Sequence, residues 1–466
     1  MSQKPRILIV IPRGEAVRNF LYSDTLPLLS QNAEVSLLSV TTDEKFTRTF
    51  SPYAVQVFPL KQHREKRFVL LLRDVVIHAH YRWMWSAKAK NKWEMLSAQA
   101  ATLPHKAALL GWMGLVRALA NRAALQMLTD LDRRLSWQMR PTHEFERLLA
   151  NVKPSLVFNG SHVHGEFGDL PMRVAKAMGF RTAAFIFSWD NLSTRSRIMV
   201  PYDHYLMWNQ DMRDHLLRLY PEIHPSQVHI TGTPQFDFHH NSEYWLSREE
   251  LCRRLGIDPN RPFVLYTTGM SGDFPEEHRT VRYVADILEK IGNPRPQMVV
   301  RTYVKGTTAE MWALAKENLP DVVFPKILWE EKWFTPMIED QAIYTSLLRE
   351  TSLGINVAST VSLELMMHGK PVINLAFDPP GSRLPHWQRY RRHIEFDHYR
   401  PVAQSGGVMV AETPEDIKDF MSLGLRSPER FHSAQHDFLK KMFNGSLDGR
   451  CGERVARKLL ALAADN

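Results

Sequence analysis

The sequence predicts an α/β chain of two successive units, each a parallel sheet covered by helices. Apolar runs of strand length alternate with helix-length segments through both halves of the chain, the pattern of parallel sheets with helices on their faces. The alternation is interrupted between about residues 64 and 140, where only helical segments are found. The length of 466 residues is enough for two or three domain cores.

In order, the first half reads as a strand (RILIVIP), a short turn at Arg13-Gly14-Glu15, an amphipathic helix to about Leu29, and the strands EVSLLSV and VQVFPL. A helical insertion rich in Trp, Arg, Lys and Ala follows, including HYRWMWSAKAKNKW and LLGWMGLVRALANRAALQML. The alternation resumes with PSLVFNGS, a helix around Leu170 to Met178, and the strands RTAAFIF, HYLMWN and VHITGTP. Composition then shifts to the polar run FDFHHNSEYWLSREEL, which puts the domain boundary near Phe238. The second half contains the strands PFVLYTTG, QMVVRTY, DVVFP, SLGINVA and KPVINLA, separated by helical segments, and closes on helices with no further strand. The expected domains are therefore 1–237, with the insertion at about 64–140, and 238–466.

Hydrophobic residues make up 44% and charged residues 23% of the chain, the balance of a packed globular protein. The opening MSQKPRILIVIP has too short an apolar run for a leader, and no segment offers the roughly 18 apolar residues of a membrane-spanning helix. A cytoplasmic location follows as the expectation. Cys252 and Cys451 stand alone, without a CxxC or Cys/His cluster, so neither a disulfide framework nor a structural zinc site is indicated. The net charge of +9 favours anionic partners: nucleotides, acidic glycans, anionic lipid or nucleic acid. Recognised nucleic-acid motifs are absent, so no nucleic-acid partner is expected.

The most informative segment is GINVASTVSLELMMHGKPVIN from Gly354, a strand, a small polar turn and a helix running into another strand. Ser359 and Thr360 sit where the helix begins, with Ser362 just inside it, so backbone N–H groups and hydroxyls converge where a diphosphate would bind. Glu364, one turn in, can accept both hydroxyls of a ribose; the alternative is a serine cap with an ordinary first-turn glutamate. The segment YTTGMSG puts Thr267, Thr268, Gly269 and Ser271 at a carboxyl strand edge, the ligand side of an open α/β sheet. Arg301 closes the strand QMVVRTY, with Lys305 four residues on. It either neutralises a leaving diphosphate or pairs with a carboxylate.

The run ASTVSLELMMHGKPVINLAFD resembles the donor-binding segment of GT-B glycosyltransferases, and is similar in particular to that of UDP-GlcNAc 2-epimerases and CDP-glycerol glycerophosphotransferases. The ending NGSLDGRCGERVARKLL, with Asp448, Gly449, Arg450 and Arg454, resembles that of glycerophosphotransferase-like proteins. The resemblance implies two Rossmann-like domains in the GT-B manner, with a helical insertion in the N-terminal domain and C-terminal helices. It also implies a second domain that holds a nucleotide-sugar through Thr267, Thr268, Gly269, Arg301, Ser359, Thr360, Ser362 and Glu364. The nucleotide-sugar is a substrate rather than a cofactor, and no DxD-like pair calls for a metal.

On the acceptor side, Ser188, Asp190 and Asn191 lie in FSWDNLSTR, which resembles a segment of surface-carbohydrate proteins in this superfamily. Asp190 is a candidate general base and Asn191 a substrate ligand; the alternative is a simple Asp-Asn turn. His162, His164 and Glu166 follow another strand and are further candidates for the base. Arg13, Gly14 and Glu15 form the loop where acceptor or phosphate approaches the backbone. In the insertion, Arg82, Trp83, Trp85, Lys88, Lys90, Lys92 and Trp93, then Trp112, Met113, Leu115 and Arg117, suit an anionic membrane surface on the inner face of the plasma membrane. The alternative is a helical hairpin whose tryptophans pack inward.

The function expected is transfer of a sugar from a nucleotide-sugar to a cell-surface glycan or lipid-linked acceptor. A hydrolysing UDP-sugar 2-epimerase and a CDP-polyol phosphotransferase are the alternatives.

Overall fold

The computed structural model describes residues 4–162, 165–291, 294–317 and 319–465, for residues 165–167 by their backbone alone. The chain forms two compact units, Met1–Asp237 with Ser446–Asn466, and Phe238–Gly445.

In the first unit seven strands, β1 (Arg6–Ile11), β2 (Glu34–Ser39), β3 (Gln56–Pro59), β4 (Leu156–Asn159), β5 (Thr182–Phe185), β6 (His204–Met207) and β7 (Val228–Ile230), form one sheet in the order β3-β2-β1-β4-β5-β6-β7. Every pairing is parallel. Helices on both faces bury the central strands, which is why Ile7–Ile11 reads as an unbroken apolar run. The chain winds outward from β1 to β3, then returns through the insertion to start again at β4 on the other side of β1. That reversal is the switch point at which ligands bind in doubly wound sheets.

The single helix expected up to Leu29 is divided into Gly14–Ala16, a π turn at Val17–Leu21 and a helix at Thr25–Asn32. Pro27 has no N–H to continue a ladder onto Ser23, and the Ser23 hydroxyl donates instead to the Asn19 carbonyl at 2.7 Å.

The insertion consists of helices Arg67–Met84, Ala87–Gln99, Leu103–Leu119 and Arg122–Met139. The last three begin on Ser86, Thr102 and Asn121, whose side chains each accept an N–H of the first turn. Ala79, Trp93, Val116 and Leu125 form their core, with Trp83 and Trp112 packed against it. The inward-packing alternative thus holds for these three tryptophans, and Trp83 also donates to the Leu219 carbonyl at 3.1 Å. Trp85 remains partly exposed, with the Arg82 guanidinium over its ring at 4.1 Å.

A buried ionic network ties the insertion to the sheet layer. Asp169 and Arg173, on the helix Gly165–Ala177, meet Arg140 and Asp132 of the insertion, and Arg73 bridges Asp132 and Glu65.

The segment 446–466, expected with the second domain, packs in the first. The Asp237 carboxylate accepts the backbone N–H groups of Cys451 at 3.0 Å and Gly452 at 2.6 Å. Arg454 donates to the Thr231 carbonyl at 2.9 Å and pairs with Asp448. The helix Cys451–Ala464 buries Val455, Ala456 and Leu459 on the helix Thr25–Asn32 and on β4. The Asp448–Arg454 pair of the C-terminal motif is therefore a fastening within the first unit.

In the second unit β8 (Phe263–Thr267), β9 (Gln297–Arg301), β10 (Val322–Val323), β13 (Leu353–Asn356), β14 (Val372–Leu375) and β15 (Met409–Ala411) form a parallel sheet in the order β10-β9-β8-β13-β14-β15, beside a small antiparallel hairpin of β11 (Trp329–Glu330) and β12 (Thr335–Pro336). Its core gathers Val264, Tyr266, Val300, Ile355 and Ile373 from the strands. The switch point lies between β8 and β13. Among the described residues no helix is long and apolar enough to cross a membrane.

Candidate functional site

At the second unit's switch point the carboxyl ends of four adjacent strands stand in one row. Arg301 is paired with Thr267, Thr267 with Asn356, and Asn356 with Asn374. The loops leaving β8 and β13 carry the residues singled out from the sequence: Thr268 and Gly269 after β8, Ser359 and Thr360 after β13.

The β13 loop is held from below by a buried polar network. Ser362 donates to Asn356 at 3.0 Å and lies 2.7 Å from the Tyr399 hydroxyl, while Asn374 donates to both Asn356 and Ser362. Ser362, a candidate donor ligand, is thus a buried strut. The Asn356 carboxamide oxygen also accepts the Ser359 N–H at 3.3 Å, and Ala358 is left-handed at φ 39°. A non-glycine residue in that region costs on the order of 1–3 kcal/mol, and here the strain lies in the turn that presents Ser359 and Thr360.

Glu364, buried in the helix Val361–Met367, is oriented from two sides. The Tyr344 hydroxyl donates to one carboxylate oxygen at 2.6 Å and His239 Nε2 to the other at 3.1 Å. His239 Nδ1 lies 3.1 Å from His368 Nε2, and burial pushes His368 down to about 3, so the far imidazole is neutral at pH 7. It therefore adds no positive charge against the carboxylate.

Arg301, expected either to neutralise a diphosphate or to pair with a carboxylate, is paired with a carboxylate. Its terminal nitrogens are committed to Asp340, at 2.6 and 3.4 Å, and Asp340 accepts the Trp329 indole N–H as well. The guanidinium also lies over the Tyr344 ring at 4.9 Å. The ring it lies over is the one whose hydroxyl bonds Glu364. The Lys305 ammonium sits over the Phe334 ring at 4.9 Å.

The β8 loop closes on a buried acid. The Gly269 N–H donates to Glu277 at 3.0 Å and Tyr266 bonds the same carboxyl at 3.1 Å; burial pushes Glu277 up to about 8, so it is protonated at neutral pH. Gly269 is required here, because a Cβ would stand 2.2 Å from Phe274 and 2.7 Å from Val357. A small cavity beside this loop is lined by Thr268, Ser271, His278 and Thr307.

At the first unit's switch point, Arg13 precedes β1's short helix and faces Glu15 at 3.6 Å. Gly14 and Glu15 are buried within that helix rather than forming an open turn. His162, after β4, points Nδ1 at the Phe185 carbonyl at 3.1 Å. A carbonyl only accepts, so Nδ1 carries the proton and Nε2 the lone pair. Burial pushes His162 down to about 4, which makes it neutral but weakly basic at pH 7.

Asp190 lies near enough to act on His162 electrostatically. Its carboxylate accepts Thr194 Oγ1 at 2.8 Å and the Asn191 amide at 3.3 Å. Asn191 accepts the Ser188 N–H at 2.9 Å. Ser188, Asp190 and Asn191 therefore close a hydrogen-bonded turn beside His162. His164 lies outside the described residues, and so does the side chain of Glu166.

Solved structures of UDP-GlcNAc 2-epimerases are similar to this chain over nearly its whole length. The enzyme from Neisseria meningitidis bound to UDP-GlcNAc has a TM-score of 0.54 at 11% identity, covering 98% of this chain and 100% of that one. A second UDP-N-acetylglucosamine 2-epimerase gives 0.56 at 10%, covering 99% and 96%. A putative one from Listeria monocytogenes gives 0.55 at 11%, covering 97% and 94%. The likeness shows the fold, two Rossmann-like α/β domains. No protein-family model and no curated protein sequence matches the chain.

Within this fold, sequence reasoning missed Tyr344, His239, Asp340 and Glu277. The pair His239-His240 at the start of the polar run, and His368 in MMHG, were the available signals.

Proposed function

We propose that the chain is a glycosyltransferase that takes a sugar from a nucleotide-sugar and passes it to a cell-surface glycan or lipid-linked acceptor. The observation that carries this reading is the Glu364 carboxylate, buried at the switch point and oriented by Tyr344 and His239. A carboxylate has about four acceptor directions; two are used, and two suit the paired hydroxyls of a ribose. The loops after β8 and β13 supply N–H groups and the Ser359, Thr360 and Thr268 hydroxyls for a diphosphate. With Arg301 engaged by Asp340, the leaving diphosphate is stabilised on this reading by those neutral donors.

The acceptor-side base is drawn from the loops after β4 and β5. Asp190 is the base in this reading, with His162 Nε2 as a neutral hydrogen-bond acceptor beside it. It takes the proton of the acceptor hydroxyl as that oxygen attacks the anomeric carbon.

A hydrolysing UDP-sugar 2-epimerase is the second reading, favoured by the similar solved structures, which are named as UDP-GlcNAc 2-epimerases. One experiment separates the two. UDP-GlcNAc and other UDP-sugars are incubated with the protein with and without a lipid-linked or oligosaccharide acceptor, and UDP release and sugar products are followed. Release that depends on acceptor supports transfer. Release without acceptor, accompanied by the 2-epimeric free sugar, supports the epimerase and overturns the transferase reading.

A further inference from the structure

The helix Leu103–Leu119 breaks the ordinary rule for surface helices. Its inner side, Leu109, Trp112, Met113 and Val116, packs on the hairpin core. The opposite side should then be polar. Instead Leu103 is 82%, Leu110 68% and Leu115 46% exposed, among exposed alanine, proline and glycine, with His105 and Lys106 between the first two leucines. Open space lies beyond Gly111 and Gly114. The helix holds no acidic residue; its charged side chains are Lys106 and Arg117, both exposed. A helix with this much exposed apolar surface belongs against something, and this one is covered on one side only.

Charge identifies the cover. Between residues 64 and 140 the chain has fourteen Lys and Arg against five Asp and Glu, a net +9 equal to the formal net charge of the whole protein. The rest of the chain is balanced. A second copy docking through this face would bring two such insertions together, against their mutual repulsion, whereas an anionic surface is attracted by the same charge. The helix is not long and apolar enough to cross a bilayer, so it fits the interfacial class, with leucines in the acyl boundary and cations among the headgroups.

We infer that the helix Leu103–Leu119 is a docking element for anionic bilayers, inserting Leu103, Leu110 and Leu115 while Lys106 and Arg117 engage lipid phosphates. Trp93 lies in the hairpin core and Trp83 and Trp112 pack against it, so these three belong to the core rather than to the contact. The inference stands independently of the reaction proposed above.

The test is flotation of the full chain with vesicles of phosphatidylcholine alone and of phosphatidylcholine with phosphatidylglycerol, at low and high salt. Wild type should float with the anionic vesicles and bind less at high salt. Both Leu103→Glu/Leu110→Glu and Lys106→Glu/Arg117→Glu should lower partitioning by about tenfold or more. As a check that does not depend on those variants folding, a Leu110→Cys protein carrying an environment-sensitive dye should shift to the blue on anionic vesicles; Cys252 and Cys451 are buried. Failure of wild type to float, equal binding to neutral vesicles, or undiminished binding of the leucine variant would overturn the inference. So would a wild-type oligomer, dissolved by the leucine variant, that ignores vesicles; it would assign the face to a second copy.

Discussion

Replacing Glu364 by glutamine tests the nucleotide site most directly. In the wild type each carboxylate oxygen already accepts one hydrogen bond, from Tyr344 at 2.6 Å and from His239 at 3.1 Å, which leaves one direction per oxygen for a ribose hydroxyl. Glutamine removes the charge and turns one oxygen into an N–H₂ group, which faces a donor and offers a ribose hydroxyl no carboxylate. The loss is one or two charge-assisted hydrogen bonds, about 1.5–3 kcal/mol or roughly 10- to 150-fold in UDP affinity. Tyr344→Phe keeps the acceptor and removes one anchor, so it should cost less, about 1 kcal/mol or roughly fivefold. Both donors lie beside a buried carboxylate, so Glu364→Gln also lowers stability by about 1–3 kcal/mol, and calorimetric titration with UDP is done well below each variant's melting temperature. A folded Glu364→Gln protein that binds UDP within about twofold of wild type would refute the ribose assignment.

Four further outcomes follow from the geometry. Glu277, held up at about 8 against an ordinary carboxyl near 4.5, binds its proton more tightly when folded, so its contribution is complete below about pH 4.5 and falls away as pH rises towards 8; Glu277→Gln should flatten that loss, and melting curves from pH 5 to 9 that stay parallel to wild type would contradict it. Burial opposes the charge on Asp169, but Arg173 and Arg140 outweigh it and hold the carboxyl below its usual range. Its stabilisation is therefore present above about pH 4 and lost as pH falls through the lowered value; urea denaturation of Asp169→Asn at pH 7 should show a loss of about 3–5 kcal/mol, and a change under about 1 kcal/mol would deny the network its role. Gly269→Ala forces a Cβ into Phe274 and Val357, and should lower the melting temperature and UDP affinity together, since the β8 loop must move; unchanged values would show that the loop has room. Asp190→Asn should reduce kcat by about 10²-fold with UDP affinity nearly unchanged, and near-wild-type turnover would remove it as the base.

The periodic part of the fold was legible because strands buried on both faces are apolar throughout, as in Ile7–Ile11 and Phe263–Tyr266. Strand β15 escaped, having only three residues behind two glycines. The side on which the final helix packs was not legible either, since amphipathicity shows that a face is buried but not against what. In the site, Ser359, Thr360 and Glu364 stood out because one strand-turn-helix segment carries them all. Their supports did not: Tyr344 lies 20 residues away, His239 lies 125 away, and Asp340 lies 39 from Arg301. Such pairings are made by tertiary contact, which spacing does not encode.

The return of the helix Cys451–Ala464 to the first unit makes that unit discontinuous, with 238–445 threaded between its two pieces. On the ribosome, the Asp237 carboxylate waits for Cys451 and Gly452 until more than two hundred further residues have been made. The first unit is therefore begun before 238–445 is made and can be completed only after it, and until then its Asp237 lacks these two partners. Quality control that recognises unfinished proteins would find the early half of this chain exposed, even after the later half has closed.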